Sequence, residues 1–201
     1  MQKWLDLVKM DQTLLQQQLD LQEQLLKRTI LLLLVIMVGR IGTLEQHREI
    51  LGFQKKLENY CTYQERCHTE VKQKLKELGI YGNPMNTIIS HLIEQNYLNE
   101  TRFAEHFVRG KFNIKKWGKK KLLRELKQRN ISDWNIKNAM KEISDTNYWE
   151  SGQALAEKFW KSNENRPLAV QKKKVWNAMQ YRGWETELIM ENILRLEHQK
   201  E

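Results

Sequence analysis

Val71-Lys72-Gln73-Lys74-Leu75-Lys76-Glu77-Leu78-Gly79-Ile80 is the stretch that decides the fold, because its apolar skeleton returns twice. It recurs 51 residues later as Leu122–Ile131 (LLRELKQRNI), and 53 residues after that as Val175–Trp184 (VWNAMQYRGW). In each copy the first and fifth residues lie on one face of a helix: Val71 with Leu75, Leu122 with Leu126, Val175 with Met179. The ninth residue, Gly79, Asn130 or Gly183, tolerates the left-handed backbone, and the tenth is an apolar anchor, Ile80, Ile131 or Trp184. That ending is a Schellman-type helix stop. Self-similarity at this period predicts small helical units that complete one another's cores. It favours an elongated binding surface over a deep catalytic cleft.

The rest of each unit follows the same logic. A helix after the stop carries Ile88 and Leu92, then Ile136 and Met140, then Ile189 and Ile193. A helix before the patterned stretch carries Phe53 and Leu57, then Phe103, Ala104 and Phe107, then Leu155, Ala156 and Phe159. Thr62-Tyr63-Gln64-Glu65 reads as a capping box, and Pro84 and Pro167 each follow an Asn and suit the first helical position. The expected fold is all-α: three tandem three-helix repeats in an elongated array, with an extra N-terminal helical segment. The expected divisions are 1–43 (extension), 44–97 (repeat 1), 98–146 (repeat 2, basic) and 147–201 (repeat 3). A unit of about fifty residues buries too little surface to be stable alone, whereas three in tandem share interfaces.

Charge is unevenly placed. The net charge is +9, and Arg109–Arg129 alone holds ten Lys or Arg against the single acid Glu125. These ten are Arg109, Lys111, Lys115, Lys116, Lys119, Lys120, Lys121, Arg124, Lys127 and Arg129. Lys120, Arg124 and Lys127 fall at i, i+4 and i+7, one helical stripe, with Leu122, Leu123 and Leu126 on the other side. Lys172, Lys173 and Lys174 echo the run in repeat 3. A solvated helix face explains most lysine-rich runs, but one this one-sided predicts a face for a polyanion or an acidic partner. Five phosphate contacts on single-stranded DNA would give a log K against log salt slope of about −3.5. Trp117, Trp134, Trp149, Trp160, Trp176 and Trp184 lie in or between the repeats. Trp184 aligns with Ile80 and Ile131 and reads as core. Trp117 opens the basic helix and is the candidate for stacking on an unpaired base, against the plainer reading of cap packing.

Several of these residues also carry a family resemblance. Leu98-Asn99-Glu100-Thr101-Arg102-Phe103-Ala104 resembles the GYL-DDxRFA segment of the RecX family. Phe107-Val108-Arg109 follows, and Trp117-Gly118-Lys119-Lys120-Lys121-Leu122 resembles the family's GWG-xxxIxxxL opening of its middle repeat. Tyr60–Cys67 is similar to the start of the first repeat in one branch. The resemblance spans roughly residues 50–195, and its matching positions are Arg102, Phe103, Trp117, Gly118 and Lys120. Asn99 stands where the family often has Asp, a conservative exchange for a helix cap. The resemblance implies a curved body of three repeats lying along the groove of the RecA–single-stranded-DNA filament and bridging neighbouring protomers. It implies a non-enzymatic regulator that dampens ATP hydrolysis and strand exchange in recombination and DNA repair. The alternative from charge alone is a general nucleic-acid-binding helical-repeat protein with helix-turn-helix-like units.

Catalytic and metal chemistry find no constellation. Cys61 and Cys67 are six apart beside His68, with no second cysteine pair to complete a zinc site, so reduced cytoplasmic thiols are expected. His47, His68, His91, His106 and His198 form no i, i+4 metal pair, and no Walker loop, nucleophile elbow or dinucleotide fingerprint occurs. No cofactor is expected. The charge arc works as a monomer, with no membrane partner. In the extension, Gln and Leu dominate Leu14–Leu26, and Ile30–Val38 is an apolar run of nine, too short to span a bilayer. Gly39-Arg40-Ile41-Gly42 has the spacing of a KH backbone clamp without the surrounding pattern. The segment reads either as an appended helix packing on the array or as a start set too far upstream.

Overall fold

Residues 2–199 are described by a computed structural model, with side chains described for 18–37 and 48–199. Nine helices run in order among them: α1 (Gln2–Tyr63), α2 (His68–Glu77), α3 (Gly82–Glu94), α4 (Glu100–Lys115), α5 (Lys119–Gln128), α6 (Asp133–Met140), α7 (Asp145–Lys161), α8 (Leu168–Tyr181) and α9 (Thr186–His198). No strand occurs among the described residues. The all-helical repeat expected from the sequence is present. Two compact units divide the chain, Met1–Phe53 and Gln54–Glu201. Among the described residues no helix is long and apolar enough to cross a membrane.

In the first unit, residues 2–53 are helical throughout, part of α1. The Gly39–Gly42 stretch lies within this helix, so its backbone is not the loop that a nucleic-acid clamp requires; its side chains, like that of Leu14, lie outside the described ones.

In the second unit the three decapeptides are the cores of α2, α5 and α8. Each ends in the expected way. Gly79, Asn130 and Gly183 have φ of 77°, 56° and 80°. The N–H of each following anchor reaches back to a buried residue's carbonyl: Ile80 to Leu75 at 2.9 Å, Ile131 to Leu126 at 3.2 Å, Trp184 to Met179 at 3.2 Å. The glycine or asparagine N–H closes the second bond, to Lys76, Lys127 and Gln180. Both bonds satisfy carbonyls that a helix end would otherwise leave bare. All three anchors are buried, Trp184 among them as expected.

Helix starts are set by side-chain caps at Asn99, Ser132 and Ser144, which accept from the N–H groups of Arg102, Asn135 and Asn147. The expected capping box at Thr62 is not formed. α1 runs on to Tyr63, Thr62 donates back to the Glu58 carbonyl at 2.8 Å, and α2 starts only at His68. The acid of that box, Glu65, is held instead by Arg102 Nε at 2.6 Å, a tertiary partner the local sequence does not announce. Pro84 sits third in α3, still in the first turn where its missing N–H is harmless, and Pro167 caps α8.

Helices α4–α6 pack on one another, as do α7–α9. One continuous core joins the two bundles, running from Phe103, Val108 and Leu126 to Trp184, Ile189 and Leu196. Cys67 is the only residue before Phe103 in that cluster among the described residues.

Candidate polyanion- and partner-binding face

The basic stretch begins on α4, turns at Lys116 and continues down α5. Lys116 adopts the left-handed conformation, φ 53°, ending α4 sharply. Gly118 then lies against the Gly183 turn of α8. The Gly118 N–H donates to the Arg182 carbonyl at 2.8 Å and the Lys120 N–H to the Gly183 carbonyl at 3.2 Å. The bare N–H groups of α5 are thus capped by the bare carbonyls of α8. The same contact explains a run of three lysines at a helix N-terminus, where the macrodipole disfavours cations: the negative pole of α8 faces them. Lys119 N–H is also taken, by the Tyr148 hydroxyl at 2.9 Å. The α5 N-terminus therefore offers no open amide cradle for a phosphate.

Around this junction several expected contact residues hold structure. Lys121 is 9% exposed, with Nζ 3.3 Å from the Tyr181 carbonyl and over the Trp117 and Tyr181 rings. Lys119 pairs with Asp145 at 2.9 Å and lies over Tyr148. Tyr148 donates to Glu185 at 2.5 Å and stacks on Trp184, with ring centroids 4.5 Å apart. Burial, then the Glu185 carboxylate, push its phenol pKa far up, so it stays a hydrogen-bond donor. Trp117 is half-buried, edge-on to Phe107 and flanked by Lys111 and Lys121. Lys116 extends toward the Phe112 ring.

Other members are exposed or half-buried and tied to acids, all but one of which lie outside the basic run. Arg109 faces Glu142 at 3.6 Å and Lys127 faces Asp133 at 3.7 Å. Lys172 pairs with Glu197. Arg129, half-buried, joins Glu125 at 2.9 Å and Glu70 at 3.9 Å. Surface pairs of this kind contribute about 0–1 kcal/mol and exchange readily. Lys115, Lys120, Arg124, Lys173 and Lys174 are exposed and form no ion pair among the described residues. Lys120, Arg124 and Lys127 do line the outer side of α5, opposite buried Leu122 and Leu126. Leu123, expected on the buried side, is 40% exposed, since it lies a hundred degrees round the helix from Leu122.

A groove of about 540 Å³ runs beside this face, between the end of α1 and α4. Phe103, Phe107 and Ile114 form its apolar lining, Lys111, Lys115 and Arg129 its basic side, and Glu65 and Glu70 its acidic side. It joins residues more than forty positions apart, so no local motif marks it. Cys61 and Cys67 are free and buried, and burial pushes the Cys61 thiol up to about 11 and raises that of Cys67. No group of three metal-binding side chains occurs among the described residues.

Comparison with known proteins agrees with this architecture. Residues 99–140 match the family description "RecX, second three-helix domain", and 146–192 match "RecX, third three-helix domain". The regulatory protein RecX of Lactobacillus gasseri is 28% identical over 130 residues, covering 65% of this chain and 48% of that protein. RecX of Bacillus cereus is 22% identical over 161 residues, covering 80% and 60%. The chain thus spans about half the length of several of the curated relatives it matches. The crystal structure of RecX from Lactobacillus salivarius superposes with a TM-score of 0.64 at 26% identity, over 75% of this chain and 98% of that one. A second crystal structure of regulatory protein RecX, at 22% identity, shares the fold with a TM-score of 0.65.

Proposed function

We propose that this chain, which matches the second and third RecX three-helix domains over residues 99–140 and 146–192, regulates the RecA recombinase by binding the RecA–single-stranded-DNA filament and restraining its ATPase and strand exchange. The observation that supports this reading is the set of unpaired cations, Lys115, Lys120 and Arg124, set on helices that are locked to repeat 3. A rigid block with free cations on its surface can follow a phosphate backbone or an acidic groove without reading base sequence. Contacts spread over several repeats also gain avidity when neighbouring protomers are engaged together. Arg109, Lys111, Lys127, Lys172, Lys173 and Lys174 extend that surface, with the weak pairs at Arg109, Lys127 and Lys172 exchanging for phosphate. Lys116, Lys119 and Lys121 serve mainly to hold the block together, and Trp117, half-buried at its margin with Lys111 and Lys121 over its ring, is the stacking candidate. The protein acts in the cytoplasm as a regulator without catalysis or cofactor.

The test is ATP hydrolysis by the cognate RecA on single-stranded DNA, titrated with the full chain. The expected result is loss of hydrolysis well below one regulator per RecA protomer, weakened by Lys120→Glu with Arg124→Glu. Unchanged hydrolysis at saturation, with the filament intact, overturns the proposal. Tight binding to naked DNA in that case would leave a general nucleic-acid binder.

A further inference from the structure

The N-terminal part of α1 carries the largest apolar surface among the described residues, and the function proposed above makes no use of it. Between Leu19 and Met37, twelve aliphatic or Met side chains are 48–67% exposed. At roughly 100 Å² of apolar surface per such side chain, about half of it open, they offer roughly 700 Å². Monomers seldom expose more than about 300–600 Å² in one patch, while a stable interface takes about 800 Å² from each partner.

The pattern identifies the occupant. Leu19, Leu26 and Leu33 repeat every seven residues, with Gln22, Thr29 and Ile36 between them at alternating spacings of three and four. A second seam runs beside it through Leu21, Leu25, Leu32 and Val35. Heptad seams, here carried over about two and a half repeats, are what helices present to other helices. Two adjacent seams give each helix more than one neighbour. The outer side at the start of the seam is polar and self-sufficient, with Glu23 and Lys27 paired at 2.7 Å.

Charge then sets the direction. Residues 1–23 hold four acids (Asp6, Asp11, Asp20, Glu23) against two bases (Lys3, Lys9), whereas 24–48 hold four bases (Lys27, Arg28, Arg40, Arg48) against one acid (Glu45). Parallel copies would set like charge against like, and antiparallel copies set opposite signs together. The same distribution argues against a lipid surface. Helices that lie on membranes carry Lys and Arg along the polar face, and here the first half is acidic.

We propose that α1 mediates self-association of this chain, its 19–36 seams packing antiparallel against those of other copies. The repeat array alone is consistent with a monomer; the seams of α1 are what favour association. Analytical ultracentrifugation of the full chain tests the proposal. The expected result is a concentration-dependent dimer or larger species, converted to monomer by Leu26→Glu with Leu33→Glu, while the thermal unfolding of the repeats is unchanged. A wild-type monomer throughout the concentration range overturns it, as does a double variant that remains associated. Co-sedimentation of a monomeric wild type with phosphatidylcholine–phosphatidylglycerol vesicles would assign the face to lipid and equally overturn it. Leu19→Cys, oxidised, links to itself in parallel copies only, so efficient self-linking would overturn the antiparallel arrangement. None of these readouts depends on RecA.

Discussion

A β-carbon built on Gly118 would stand 2.4 Å from the Gly183 carbonyl oxygen and 2.6 Å from the Trp184 nitrogen. One built on Gly183 would stand 2.3 Å from Lys121 Cβ, on a residue already at φ 80°. The obstacles are backbone or near-backbone atoms, which cannot swing aside. Gly118→Ala is expected to cost about 2–3 kcal/mol, and Gly183→Ala about 1 kcal/mol more through its left-handed backbone. Denaturant midpoints followed by Trp fluorescence measure both, and a loss below about 0.5 kcal/mol at Gly118 would mean the junction yields. A second residue-scale effect sits at Glu100. Burial raises its carboxyl pKa, but hydrogen bonds from the Ser132 N–H at 2.8 Å and Asn135 at 2.9 Å, with His68 nearby, outweigh that and leave it lowered. A depressed carboxyl contributes stability above the ordinary carboxylate range and loses it as pH falls through the lowered value. Glu100→Gln should therefore lower stability by about 1 kcal/mol near neutral pH, discounted for partial exposure, and by progressively less in acid. Equal loss at pH 3 and pH 7 would remove the carboxylate from that account.

At the scale of the element, α5 separates what its lysines do. Those on its inner turn, Lys119 and Lys121, have rings, carbonyls and Asp145 for partners, whereas Lys120 and Arg124 have only solvent. Lys120→Glu with Arg124→Glu should leave the melting temperature within experimental scatter. It should also reduce the salt slope for single-stranded DNA by about 1.4, two contacts at about 0.7 each. Lys121→Glu should do the reverse, unfolding the junction before it alters any slope. A destabilised double variant, or an unchanged slope, would show that the outer stripe is not the contact surface. The helix ends, their left-handed stops and the Lys120–Arg124–Lys127 stripe were legible because each is a local spacing rule. The net charge of the face was not. Glu142, Asp145 and Asp133 lie outside the basic run and reach it only through folding. Glu65 likewise reads as half of a capping box until Arg102, thirty-seven positions on, claims it.

For the folded array as a whole, the two junctions between repeats use one plan with different strength. The N-terminus of α5 meets the C-terminal turn of α8, and the N-terminus of α2 meets the corresponding turn of α5. At the α5–α8 junction, two backbone–backbone bonds, the Trp184 indole bond to the Lys116 carbonyl and the Phe112–Tyr148–Trp184 ring stack cross the boundary. At the α2–α5 junction the ties are side chains: the Thr69 hydroxyl donates to the Arg129 carbonyl at 2.9 Å, Glu70 faces Arg129, and Glu65 holds Arg102. Cys67 stands at the N-cap of α2 where Gly118 stands at that of α5, and Asn130 stands where Gly183 does, so neither glycine of the close contact recurs at this junction. Local opening follows the weaker set of ties. Amides of α2 and α3 are therefore expected to exchange with solvent at least about tenfold faster than those of α5 and α8. Thr69→Ala, which removes one bond worth about 1 kcal/mol, should widen that gap without touching α8. Native-state hydrogen exchange resolved by helix decides the matter. Uniform protection across the three repeats would mean that side-chain ties lock the first repeat as firmly as the backbone locks the third. A faster α2 and α3 would instead give the array one segment that adjusts to its partner and one block that does not.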